Sequence, residues 1–441
     1  MAPLASTVSP VATAPDTAAT RTATIAATTA DDGWDTRYEF KAVAALSLGF
    51  GLVGLDRFII NPLFPVMARE LGLNYQDLGL ISAVLALTWG LASIVAGRLT
   101  DRIGRKRVLV PAVLVFSALV AFTGLATGLA SLLVIRALMG LAEGAYLPAS
   151  VVATAEASRP GRVGLNVGLQ QVAAPLFGLG LGPIVATQLL GVLPSWHWVF
   201  ALVALPGFVM AWWLARVLRP DAPPRRRAAI VVATPTARPF REVLACPNVV
   251  ANMLGMMCWL SSMMVLAALL PSYLSDHLGL AVGTMGVVLS GFGLGNVIGL
   301  VLLPALSDRL GRKPVMLAAL VLQVVALALL VQAGAQPGLL FALLLVNGLA
   351  GAGVIAITLG PLTGQSVPPR LAATATGLVA GAGEIVGGAL APALAGWAAQ
   401  RFGIDIIPTL ALGAVLAGAL VVVLVTREPQ RQPATPVPVG R

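Results

Sequence analysis

Two cysteines and two histidines are all that this 441-residue chain offers among the side chains that most often bind metals. Cys246 and Cys258 have no C-x-x-C spacing, and His197 and His277 have no Cys or His companion, so neither a disulfide framework nor a metal centre is indicated. Charged residues are scarce too, at 10%. No G-x-x-x-x-G-K-[ST] loop is present, which argues against nucleotide hydrolysis as a power source, and no cofactor is expected. Aromatic residues make up 6% and form no stripe interleaved with basic ones, so the net charge of +10 does not point to nucleic acid. Residues 1–40 are rich in Ala, Thr and Ser and lack an apolar core of signal-peptide length; they read as a disordered cytoplasmic tail.

Apolar residues, by contrast, reach 58%, with a mean hydropathy of +0.91. A soluble domain of that composition would expose far too much apolar surface, so the bilayer is the solvent. A spanning helix needs roughly 20 mostly apolar residues. Such windows fall near 41–67, 76–97, 107–128, 131–154, 163–190 and 196–217. After a Pro- and Arg-rich linker, 218–247, six more follow near 248–275, 282–305, 314–334, 338–362, 371–398 and 405–426. The expected architecture is all-α: twelve transmembrane helices in two six-helix bundles, 41–217 and 248–426, with a second short tail at 427–441. If both termini are cytoplasmic, 24 of the 28 lysines and arginines lie on the cytoplasmic side, which the opposite orientation cannot accommodate.

A charged loop is repeated in the two halves. Gly97-Arg98-Leu99-Thr100-Asp101-Arg102-Ile103-Gly104-Arg105-Lys106 has a partial copy in Ser307-Asp308-Arg309-Leu310-Gly311-Arg312-Lys313, and the aspartates lie 207 residues apart. The spacing predicts two similar halves. Gly97 and Gly104 suit close packing and a sharp turn, while Asp101 can favour a helix N-terminus or a basic neighbour and stabilise a state closed on the cytoplasmic side. The candidate gating residues are thus Gly97, Asp101, Arg102, Gly104 and Arg105, with Asp308, Arg309, Gly311 and Arg312 in the copy. The alternative is that the basic residues merely fix topology. Gly178-Leu179-Gly180-Leu181-Gly182 and Gly291-Phe292-Gly293-Leu294-Gly295 lie inside apolar spans, where they suit helix packing rather than dinucleotide binding.

Charge at membrane depth costs at least about 2.5–3.5 kcal/mol per residue and marks function by default. Asp56, Arg57, Arg136, Glu143 and Glu384 qualify. Arg57 presents a planar fork suited to an anionic substrate. Asp56 and Glu143 are candidates for proton coupling, with Arg136, on nearly the same helix face as Glu143, tuning the carboxylate. A permanent Arg57–Glu143 pair between helices is the structural alternative. Glu384 is a further proton site, a contact for a substrate hydroxyl, or a structural contact. Gln170, Gln171, Asn296 and Asn347 can orient a ligand or join helices, and Tyr146, Trp89, Trp259 and Tyr273 can line a cavity or pack.

The loop Gly97-x-Leu99-x-Asp101-Arg102-x-Gly104-Arg105-Lys106 and the helix 4 pattern Arg136-x-x-x-Gly140 resemble the signatures of the major facilitator superfamily, over essentially 41–426. Asp56-Arg57 and Gly140-x-x-Glu143-Gly144-x-x-x-Pro148 are similar to its anion:cation symporter branch, as is Trp196-His197-Trp198-x-Phe200. The resemblance implies uptake of a small organic anion, a sugar acid or an aromatic or other carboxylate, with protons and by alternating access. Asp56, Arg57 and Glu143 map onto the aspartate, arginine and glutamate that its sugar-acid carriers use. It implies a monomer in the bacterial inner membrane and no enzymatic activity. The alternative is a proton-coupled efflux antiporter, whose motif Gly178-x-x-x-Gly182-Pro183 matches in part.

Overall fold

The computed structural model describes residues 34–219, 239–368 and 371–424, except for the side chains of Arg98, Asp101, Pro239, Phe240 and Ala373. The segments 1–33 and 427–441, read above as tails, and residues 220–238 of the linker lie outside the described residues, as does the Asp101 side chain. Among the described residues, twelve helices are long and apolar enough to cross a membrane. They are α1 (Thr36–Leu71), α2 (Tyr75–Ile103), α3 (Arg105–Thr123), α4 (Leu129–Ala157), α5 (Pro160–Val192) and α6 (Trp196–Val217) in one half. The other half holds α7 (Pro247–His277), α8 (Val282–Leu310), α9 (Arg312–Gln332), α10 (Pro337–Gln365), α11 (Thr374–Phe402) and α12 (Ile406–Leu424).

Helix α1 starts five residues before the expected window because Asp35 caps it, its side chain accepting from the Tyr38 N–H at 2.9 Å. The short expected tail, 1–40, therefore ends inside a helix. Helix α1 is interrupted at Ile59, between Thr36–Phe58 and Ile60–Leu71. Pro62 has no N–H to give the Phe58 carbonyl, and Pro65 none for that of Asn61, so the ladder weakens just after Arg57.

The two halves repeat one packing scheme. Helix α2 packs on α4, α3 on α6 and α1 on α5; in the other half α8 packs on α10, α9 on α12 and α7 on α11. The 207-residue offset also holds for backbone shape. Gly104 and Gly311 have φ of 100° and 99°, and Gly72 and Gly279 both have φ of 66°, conformations that a side chain disfavours. Helices α5 and α11 each carry a π-helical stretch, Leu176–Leu181 and Glu384–Leu390. A proline follows each, Pro183 and Pro392, and leaves a carbonyl inside the stretch without its usual donor.

Contact between the halves runs through α2 with α11, α5 with α8 and α1 with α7. It is closed on the side of the α1–α2 turn: Tyr75 donates its O–H to Asp276 Oδ2 at 3.0 Å and its N–H to Gln400 Oε1 at 3.3 Å. Asn61 Nδ2 adds a bond to the Ala267 carbonyl at 2.8 Å. Glycine permits the closest crossing, where the backbone of Gly293 on α8 lies against that of Gly180 on α5, while Gly178 faces the Gly54 carbonyl of α1. Toward the side carrying the described chain ends, a side chain at Gly97, Gly164, Gly168, Gly377 or Gly381 would meet open space. Gly97 therefore makes no close helix contact in this conformation.

Candidate functional site

A cavity lies between the halves, walled by Phe50, Phe58, Trp89, Gln171, Met264 and Asn296 among others. Arg57 reaches it from α1 and is the charged residue on its wall. A smaller space, lined by Asn61, Ser82 and Arg136, also touches Arg57, Phe58 and Met264. These three residues thus separate the large cavity from the region near the closed side. The Arg57 guanidinium sits 5.4 Å from the Trp89 ring and 5.7 Å from the Phe58 ring, a cation–π arrangement. Its Nη2 lies 3.5 Å from Glu384 Oε2 and 4.0 Å from Met264 Sδ.

Asp56 and Glu143 are not on the cavity walls. One residue along a helix turns the side chain by roughly 100°, so with Arg57 facing the cavity Asp56 is carried into the N-terminal bundle. Asp56 is 3% exposed and Glu143 fully buried. Neither carboxylate oxygen of Glu143 has a hydrogen-bond partner among the described residues. The alternative of a fixed Arg57–Glu143 pair is not what forms: the partner of Arg57 is Glu384, on the opposite half.

Arg136 is buried and donates Nη1 to the carbonyls of Asp56 and Arg57, at 3.1 and 3.5 Å. It clamps α1 immediately before its interruption and so fixes the backbone that carries both charges. Its Nε and Nη2 have no partner among the described residues.

The other polar candidates divide. Gln171 and Asn296 are on the cavity wall, although Asn296 spends its amide N–H on the Phe292 carbonyl at 2.8 Å. Gln170 points the other way, buried, and donates to Ser150 Oγ at 2.7 Å, joining α5 to α4. Tyr146 is likewise inside the bundle, donating to the Leu46 carbonyl at 2.9 Å and stacking on Phe50. Both face away because the helix stripe they share with their neighbours packs on α1 and α4 rather than on the other half. Asn347 is buried off the cavity wall, with both amide atoms unpartnered among the described residues.

At the repeated loop, Arg105 is buried and pairs with Glu156 at 2.6 Å, tying α3 to the end of α4. The copy pairs within itself, Arg312 with Asp308 at 2.5 Å and with Ser307 Oγ at 2.7 Å. Arg102 and Arg309 are exposed.

Three contributors escaped the sequence reading. Met264 is the 207-residue equivalent of Arg57, a correspondence the repeat itself contains. Phe58 carries no polar signal. Glu39 is a buried hub, accepting from Trp34, Arg162 and Asn166 at 2.7–2.8 Å, which anchors the start of α1 to the start of α5. One carboxylate near a helix start gave no hint of that.

The family model of the Major Facilitator Superfamily matches residues 46–266 and 253–441. The sialic acid transporter NanX of Escherichia coli is 25% identical over 398 residues, 87% of this chain and 93% of that one. The 3-(3-hydroxy-phenyl)propionate transporter of the same organism is 28% identical over 386 residues, 83% and 89% of the two chains. Among solved structures, a bacterial homologue of the human lysosomal transporter Spinster, in an inward-facing and occupied conformation, is similar with a TM-score of 0.70. That match has 16% identity and covers 88% of this chain and 94% of the other.

Proposed function

Because the chain belongs to the Major Facilitator Superfamily, we propose that it takes up a small organic anion together with protons, by alternating access across a bacterial inner membrane. It is a multi-pass membrane transporter and not an enzyme. The observation that carries the proposal is a single guanidinium, that of Arg57, held by aromatic faces in an otherwise mostly apolar cavity between the halves. Relatives named for sialic acid and for 3-(3-hydroxy-phenyl)propionate both handle organic acids, which supports the same cargo class here.

In this reading Arg57 takes the carboxylate by charge-assisted hydrogen bonds, and Phe50, Phe58, Trp89 and Met264 cover the body of the substrate. That lining suits an aromatic or other apolar carboxylate better than a sugar acid, whose hydroxyls would find Gln171 and Asn296 on the wall, with Glu384 beside Arg57. It also disfavours export of lipophilic cations, which Arg57 repels. Glu143 and Asp56 are the proton-coupling groups: an ionised carboxylate buried without a hydrogen bond, as Glu143 is among the described residues, is costly, and taking up a proton removes that cost. Arg136 positions α1 so that proton and anion sites respond to the same helix.

With both termini in the cytoplasm, the closed side at the α1–α2 turn faces outward, as in the state from which substrate and protons leave to the inside. Reconstituted into liposomes, the protein should accumulate benzoate under an inward acid gradient. Arg57→Ala should weaken binding by about 10- to 100-fold, the loss of one charge-assisted contact. Glu143→Gln should end accumulation while leaving downhill exchange. Wild-type accumulation by either variant would refute the assignment.

A further inference from the structure

The Arg57–Glu384 contact joins the two halves, whereas Arg105–Glu156, Arg162–Glu39 and Arg312–Asp308 each join residues of one half. It is also looser. The N···O distance is 3.5 Å, against 2.6 Å for Arg105–Glu156, and it engages one guanidinium nitrogen, so no fork-to-fork pair forms. Both side chains remain partly exposed, at 13% and 21%. A guanidinium has five N–H donors, and the Nε and Nη1 groups of Arg57 have no acceptor among the described residues. The space for the Glu384 carboxylate is built into α11: a Cβ at Gly388, one turn along, would lie 2.5 Å from Glu384 Oε2.

From this geometry we infer that Glu384 is the internal counter-anion of Arg57 in the empty carrier, and that an entering substrate carboxylate replaces it. The inference rests on the organic-anion reading above. Its physical basis is the return step. A carrier that has released its substrate must close around the cavity with Arg57 inside, and a lone cation enclosed by Phe58, Trp89 and Met264 is expensive. Glu384, arriving from the opposite half, neutralises it. A loaded carrier has no such need, because the substrate supplies the negative charge. Glu384 therefore lowers substrate affinity by competition and enables the empty carrier to reorient.

Two transport modes separate these roles. Net uptake into empty liposomes requires the empty carrier to return; exchange of external labelled benzoate for internal unlabelled benzoate does not. Glu384→Gln should bind benzoate about tenfold more tightly by calorimetry, because the competitor is gone. Its net uptake should fall far more than its exchange, so that the ratio of exchange to net uptake rises at least about tenfold. Gly388→Ala keeps the carboxylate charge and displaces it, and should move both readouts in the same direction by a smaller factor. Unchanged or weaker binding in Glu384→Gln, with exchange and net uptake falling together, would overturn the inference and leave the anion-transport reading standing. If neither the wild type nor Glu384→Gln binds or exchanges benzoate, gluconate or the other carboxylates of a panel, the anion-transport reading itself fails, and this inference with it.

Discussion

At the scale of single residues, Asp56 and Arg57 are adjacent in sequence and separated in environment. The helix places one in the bundle and the other on the cavity wall, and the same rotation separates Gln170 from Gln171. Tyr146 shows how a polar group in a span is absorbed by structure: its hydroxyl satisfies the Leu46 carbonyl. Tyr146→Phe should lower stability by about 1 kcal/mol through that lost bond and leave benzoate affinity unchanged. A thermal-shift series read beside calorimetry separates the two, and a tenfold loss of affinity without a melting change would put Tyr146 in the site. At the start of α1, Asp35 is held below its ordinary value of 3.8, first by the Tyr38 backbone N–H and also by the Arg219 guanidinium. Its depressed value means that this cap is fully effective above the ordinary carboxylate range and is lost as pH falls through the lowered value.

At the scale of elements, the two repeated loops share their backbone and differ in their bonds. Gly104 and Gly311 occupy the same conformation, φ near +100° with ψ of 156° and 152°, which is almost closed to residues with a Cβ. Gly104→Ala and Gly311→Ala should each cost about 1–3 kcal/mol of stability, measured by thermal unfolding in detergent. Gly97 behaves differently, because nothing stands where its side chain would be. Gly97→Leu should fold normally and retain the conformation described here, yet arrest turnover if the loop must pack closely when the cytoplasmic side shuts. Undiminished transport by that variant would remove Gly97 from the gate. The motif was legible from the sequence as a unit; which glycine takes a positive φ and which faces open space was not, since spacing records neither φ nor neighbours.

At the scale of the whole molecule, the closed side is held by Tyr75, Asp276, Gln400 and Asn61, residues of both halves joined by side-chain hydrogen bonds. Combining Tyr75→Phe with Gln400→Ala should shift the population toward the opposite opening, because only contacts that differ between states move their equilibrium. Spin labels across the α1–α2 and α7–α8 turns would report longer distances in the double variant. Unchanged distances would show that the glycine crossing of α5 and α8 suffices to hold this side shut. Orientation is tested with single cysteines placed at 72 and at 430 in a background lacking Cys246 and Cys258. A membrane-impermeant maleimide applied from outside cells should label only the first.

Composition and periodicity alone determined that the chain spans a bilayer twelve times in two related halves, because hydrocarbon admits few backbone solutions and each helix must declare itself locally by length and apolarity. The same local logic singled out Arg57 and the membrane-depth carboxylates, since charge there is costly wherever it occurs. Partnership was decided only by the tertiary structure. Glu384 meets Arg57 across 327 positions of sequence, Arg136 clamps the interruption of α1, and Glu143 stands without a hydrogen bond among the described residues, because pairing depends on how helices rotate and cross, and those angles are set by the packing of the whole.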